Sequence, residues 1–140
     1  MSPHLVRIIV GILFLGHGLG HAMPALPLLG FRLSASHSSK SWLLNGFAGA
    51  GAASAICVAM NLLALLAFMG AGLSVAEWGV PREAWGRLAT AGAFVSLLAL
   101  VLFWDAYPFL FPNKVGVILV DLFAIVTVLF ARWPAALFHE

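Results

Sequence analysis

Charge is what this sequence has least of. Its 140 residues include seven Lys/Arg and five Asp/Glu, 9% in all. A soluble domain carries about 25% to keep its surface wet. With 63% hydrophobic residues and a mean hydropathy of +1.07, most of the surface must have lipid as its solvent. The net charge of +2 is spread too thinly to make a nucleic-acid patch. A small Lys/Arg excess instead suits loops and headgroups, so the lipid bilayer is the expected partner and nucleic acid is excluded. Cysteine is nearly absent too. A lone Cys57 in an apolar run rules out an internal disulfide and a self-contained dithiol oxidoreductase, and reads as a small hydrophobe. There is no Gly-rich phosphate loop, serine nucleophile elbow, His-Glu-x-x-His or voltage-sensor arginine ladder. A non-enzymatic role is favoured.

What is present is a set of four long apolar runs, at about 5–23, 42–69, 88–107 and 115–131. Each is of the order needed to cross ~30 Å of hydrocarbon at ~1.5 Å per residue. The expected fold is therefore an all-α, integral membrane four-helix transmembrane bundle in a single domain. Pro24 and Pro27 stop the first run, Pro108 and Pro112 close the third, and Arg132-Trp133-Pro134 ends the fourth. The first run could pass for a signal peptide behind Arg7; we read it as the first span. Residues 31–41, with Arg32, Lys40 and five serines, are the one stretch that looks soluble. Ser74-Val-Ala-Glu77 reads as a capping box, Pro81 as a first helical residue, and Trp78 and Trp85 as headgroup-belt residues. Gly16 and Gly20, and Gly46, Ala50 and Ser54, lie four apart as small-residue packing faces. Arg7, Arg82, Arg87 and Arg132 on one side, against Arg32, Lys40 and Lys114 on the other, bias both termini toward the cytoplasm.

This topology gathers polar residues toward one end. His17 and His21 lie late in the first span and Asn45 early in the second. Asp105 and Tyr107 close the third, while Lys114 and Asp121 belong to the fourth. Asn61, Thr90 and Thr127 fall in the opposite half. His17 and His21, at i and i+4, project from one helix face, the spacing at which two imidazoles share a metal or flank a ligand. With Asp105 or Asp121 they would make a two-His, one-carboxylate metal set. Haem would need one of these histidines and a ligand elsewhere. A quinone headgroup would need only a His or Asp beside apolar walls, for which Phe14, Trp104 and Phe109 are available. Asp121 is the most informative residue, because a carboxylate inside a span costs about 2.5–3.5 kcal/mol and is normally paired, neutral or functional. Its expected partners are His17, His21 or Lys114. The plainer readings stand beside these: interfacial histidines, a snorkelling Lys114 and an interfacial Asp105.

The opening Val6-Arg-Ile-Ile-Val-Gly-Ile-Leu-Phe-Leu-Gly-His-Gly18 resembles the first helix of the DoxX-like family of small four-helix bacterial membrane proteins. Phe103-Trp-Asp-Ala106, Lys114-Val-Gly116 and Asp121 are similar to a motif of the same general type. The long second helix and His21 depart from it. The resemblance implies an accessory protein of the bacterial inner (cytoplasmic) membrane, linked to quinone-dependent redox chemistry. A quinone, haem or metal would bind at His17, His21, Asp121, Asp105 and Lys114, with His17 and His21 the metal ligands. The alternatives are an assembly subunit docked on a membrane-protein partner, or an oligomeric small-solute transporter; a homo-oligomer is compatible with each.

Overall fold

The computed structural model describes residues 2–131 and is all-helical among them, with four helices long and apolar enough to cross a membrane. α1 (Pro3–Gly20) is capped by the Ser2 hydroxyl, which accepts from the Leu5 N–H at 3.3 Å. The helical path does not stop at Pro24. A 3₁₀ segment, Met23–Leu29, carries it on until Gly30 at φ 84°, so Pro24 starts a new helix type. The second expected span breaks into a single turn, α2 (Asn45–Ala48), and the long α3 (Ala50–Val75). Gly49 between them sits at φ 81° and ψ 157°, a conformation open to glycine and incompatible with a continuous helix. α4 (Trp85–Leu102) is shorter than expected at its C-terminal end, where Phe103 turns the chain out of the helix. α5 (Val115–Ile125) follows a wide turn over Leu110–Lys114 and continues as a second one over Val126–Phe130. The Arg132-Trp133-Pro134 stop signal lies outside the described residues.

The helices pack in sequence: α1 on α3, α3 on α4, α4 on α5. α1 and α5 scarcely touch, and the bundle is open along that side. Glycine decides how closely the first pair approaches. A methyl group on Gly18 would lie 3.2 Å from the Leu65 carbonyl oxygen, and one on Gly72 would lie 3.1 Å from that of Gly11. Gly16, Gly20 and Gly46, expected at packing faces, have nothing within 4 Å of such a methyl. The reason is helix rotation: Gly11 and Gly18 share the face that meets α3, and Gly16 and Gly20 look elsewhere.

At the end of the bundle holding the α1 N-terminus, Glu77 at φ 58° bonds Arg7 at 2.5 Å and Arg82 at 3.5 Å. Ser74 belongs to the end of α3 and donates back to the Pro81 carbonyl, so no capping box forms. Trp78 is exposed, whereas Trp85 packs in the core. At the other end, the polar loop is folded onto the protein. His37, Ser39 and Ser41 are buried, the Ser38 N–H donates to the Asp105 carbonyl at 3.0 Å, and Ser39 reaches Ser54 at 2.9 Å. His37 Nδ1 accepts from the Leu33 N–H. Burial pushes the His37 pKa below its ordinary value, with the Ala106 and Met23 carbonyls pulling the other way.

Candidate functional site between α1 and α5

The apolar core is in two parts. One joins Val6, Val10 and Phe14 of α1 to Phe68 and Ala71 of α3 and Ala89 of α4. The other joins Ala53 and Cys57 to Leu100, Phe103 and Val117. Between them runs a polar layer in which each helix supplies a member: His17 and His21 from α1, Asn61 from α3, Ser96 from α4 and Asp121 from α5. All but His17 are fully or almost fully buried. The layer lies near the middle of the helices. The expectation of a polar cluster at one end is therefore corrected, along with the assignment of Asn61 to the opposite half. Hydropathy spaces the spans but does not say at what height facing helices meet.

His17 Nε2 meets Asp121 Oδ1 at 2.9 Å, with 8% and 0% of the two side chains exposed. This pair is a direct polar link between α1 and α5. His17 Nδ1 makes no hydrogen bond among the described residues. Asp121 Oδ2 likewise has no hydrogen-bond partner among the described residues, and Ser96 stands beside the carboxylate without closing a bond.

His21 turns the other way. The Asn61 Nδ2 donates to the Cys57 carbonyl at 2.9 Å, which orients the amide. Asn61 Oδ1 then accepts from the Tyr107 hydroxyl at 2.9 Å and from His21 Nδ1 at 3.0 Å. That pattern puts the His21 proton on Nδ1, leaving a buried Nε2 without a partner among the described residues. Burial raises the Tyr107 pKa, so the phenol remains a donor. Phe68 fixes both imidazoles, stacked on His21 at 5.9 Å and edge-on to His17 at 4.5 Å.

Of the five residues expected in one site, three reach the layer. Asp105 is exposed beyond α4, and Lys114 places its ammonium 4.5 Å from the Trp104 ring centroid, so the expected Lys114–Asp121 pair does not form. Phe14 is in the core and Phe109 is exposed; neither walls the site. The metal set does not assemble. His17 is engaged by Asp121 and His21 by Asn61, and among the described residues no three His, Cys, Asp or Glu side chains are grouped to hold an ion. Haem fits no better, because the free His21 nitrogen is enclosed in packed side chains.

What the layer does open onto is a cleft of about 390 Å³ between α1 and α5. Its lining includes Ile12, Gly16, His17, Gly20, Asn113 and Gly116. That volume lies in the lower part of the ~300–1,000 Å³ typical of small-molecule sites. No side chain fills the space beside Gly16, Gly20 or Gly116, so a flat group would reach the backbone there. His17 lines the floor with Asp121 behind it, and the buried Asn113 Oδ1 lacks a partner among the described residues.

No protein-family model, curated protein or solved structure matches this chain. The cleft itself is an apolar slot with an imidazole bonded to a carboxylate, an amide and three bare glycines. Sequence reasoning found the imidazole and its carboxylate. It placed Tyr107 among the polar residues of that end without giving it a partner, put Asn61 in the opposite half and did not name Asn113; the burial of polar residues in an apolar run was the available signal.

Proposed function

We propose that this chain is an integral membrane protein of DoxX-like type that binds a quinone-class ring in the cleft between α1 and α5. The bilayer reading rests on the outward faces of the helices. Leu66, Val101, Leu119 and Phe130, one on each of four helical stretches, are each more than half exposed, large apolar side chains that a lipid solvent accommodates. The Lys/Arg distribution favours both termini on the cytoplasmic side of a bacterial inner membrane.

The observation that carries the ligand class is the His17–Asp121 pair at the floor of an apolar, glycine-lined slot. With Asp121 holding Nε2–H, a neutral His17 offers Nδ1 as an acceptor to a hydroxyl. When protonated it offers Nδ1–H as a donor to a carbonyl. A ring compound that exists with either oxygen form is matched by a group that serves both. Asn113, whose Nδ2 donates to Met23 Sδ at 3.2 Å, offers its Oδ1 as an acceptor to the hydroxyl form of the other ring oxygen. The three open glycines also favour a second reading, in which a partner's helix seats in the cleft and the chain is an assembly subunit.

The deciding experiment titrates detergent-purified protein with a short-chain ubiquinone analogue by calorimetry. Saturable binding is expected. His17→Phe and Asp121→Asn should weaken it about 10- to 100-fold, the range for a lost hydrogen bond to a charged or charge-linked group. Gly16→Leu should abolish it while leaving the melting temperature near wild type. Binding unchanged in Gly16→Leu would refute the cleft. Absence of binding, with a copurifying protein displaced by Gly16→Leu, would establish the subunit reading.

A further inference from the structure

Asp105 and Lys40, which take no part in the mid-height layer, line one cavity of about 460 Å³ together with Trp42, Trp104 and Val101. It sits where α4 ends and the 31–44 loop returns to α3. Its two walls are fastened to each other. The Trp42 indole N–H donates to the Val101 carbonyl at 2.7 Å, and the Ser38 N–H donates to the Asp105 carbonyl. The loop is thus pinned at Trp42 to the end of α4 and at Ser38 to the residues just after it.

Lys40 and Asp105 carry opposite full charges on this one cavity, yet they form no ion pair with each other or with any described residue. Two such charges held apart across a space complement a ligand that carries both signs. Trp42 is 71% exposed with its N–H already used, so what it offers outward is ring surface. Trp104 already attracts one cation, the Lys114 ammonium, to its face. Leading away from the cavity along α4, Phe94, Leu98 and Val101 are each more than half exposed. At i, i+4 and i+7 they form one apolar stripe. Tryptophans at the level where spans end, with an apolar track running from them into the hydrocarbon, describe the position of a lipid headgroup and its chain.

From this juxtaposition we infer that the cavity binds the headgroup of a zwitterionic phospholipid, its ammonium at Asp105, its phosphate at Lys40 and an acyl chain along Phe94, Leu98 and Val101. The inference rests on the bilayer reading above but not on the cleft.

Native mass spectrometry of the whole chain in detergent tests it, with dioleoyl phosphatidylethanolamine and dioleoyl phosphatidylglycerol added separately at equal concentration. The zwitterionic lipid should bind more tightly by about two- to fivefold, the range an exposed ion pair supplies. Asp105→Asn should remove that preference by weakening the ethanolamine lipid alone, whereas Lys40→Gln should weaken both. Both positions are at the surface, so the variants should elute and melt as wild type does. Equal binding of the two lipids, or a preference that survives Asp105→Asn, overturns the headgroup site. Unselective adducts of both lipids would still report a membrane protein, so that outcome leaves the bilayer reading standing. A chain that retains neither lipid fails both.

Discussion

Two glycine-to-alanine changes, chemically the same, should move stability in opposite directions. At Gly72 a methyl group would lie 2.7 Å from Leu15 Cγ, 2.8 Å from its Cδ2 and 3.1 Å from the Gly11 carbonyl oxygen. Leu15 is able to turn aside; the carbonyl moves only if α1 moves. Overpacking of this kind costs about 1–3 kcal/mol, against a gain of about 0.5–1 kcal/mol for alanine over glycine inside a helix. Gly72→Ala should therefore destabilise, by up to about 2.5 kcal/mol. At Gly16 the methyl meets nothing within 4 Å, so Gly16→Ala keeps only the gain and should stabilise by about 0.5–1 kcal/mol. The helix contribution cancels between the two, and their difference isolates the α1–α3 contact at about 1–3 kcal/mol. Thermal unfolding in mild detergent, followed by far-ultraviolet circular dichroism, measures both. Adding Leu15→Ala to Gly72→Ala should recover part of the loss but not all, because the Gly11 carbonyl stays where it is. Effects of the same sign and size at both glycines would refute the claim that α1 meets α3 through Gly72 and leaves Gly16 open.

Asn61→Leu should cost about 1–3 kcal/mol by stripping the acceptor from both His21 and Tyr107, and Tyr107→Phe about 0.5–1.5 kcal/mol, since His21 keeps its partner. Equal melting temperatures for the two variants would contradict the shared acceptor. For His37, burial lowers the folded-state pKa below the unfolded value of about 6.5. The contribution of its neutral ring is thus fully present above that pH and is lost as pH falls through and below it. His37→Asn preserves an acceptor for the Leu33 N–H, so it should melt like wild type near pH 8 and lose less stability than wild type near pH 5.5. A pH slope identical in the two proteins would show that His37 does not titrate with folding.

The number of long apolar helices was legible because run length against hydrocarbon thickness is a coarse and forgiving test. Their ends were less so. Nothing in the run from Trp42 onward marks Gly49 as the residue that breaks it, since a glycine in an apolar span is as often a packing site as a turn. The His17–Asp121 partnership was legible because a carboxylate in such a segment demands a partner and few are on offer. Asn61 was not, because its role depends on how α3 is rotated and how far it slides past α1. The 31–41 loop looked solvated for a related reason: serines and a histidine read as polar whether they face water or, as here, are buried, with His37 on the Leu33 N–H and Ser39 on the Ser54 hydroxyl. Asp105 and Lys114 were placed with the histidines because the expected topology puts them in the same half of the membrane; of the segment after Phe103, only Tyr107 reaches the layer, while Asp105 is exposed.

The mid-height position of the polar layer has an electrical consequence. In the bilayer proposed above, any charge entering this layer from either face would cross part of the transmembrane field, and a full crossing is worth about 2.3 kcal/mol per elementary charge at 100 mV. Movement of charge into the cleft would therefore respond to membrane voltage as well as to concentration.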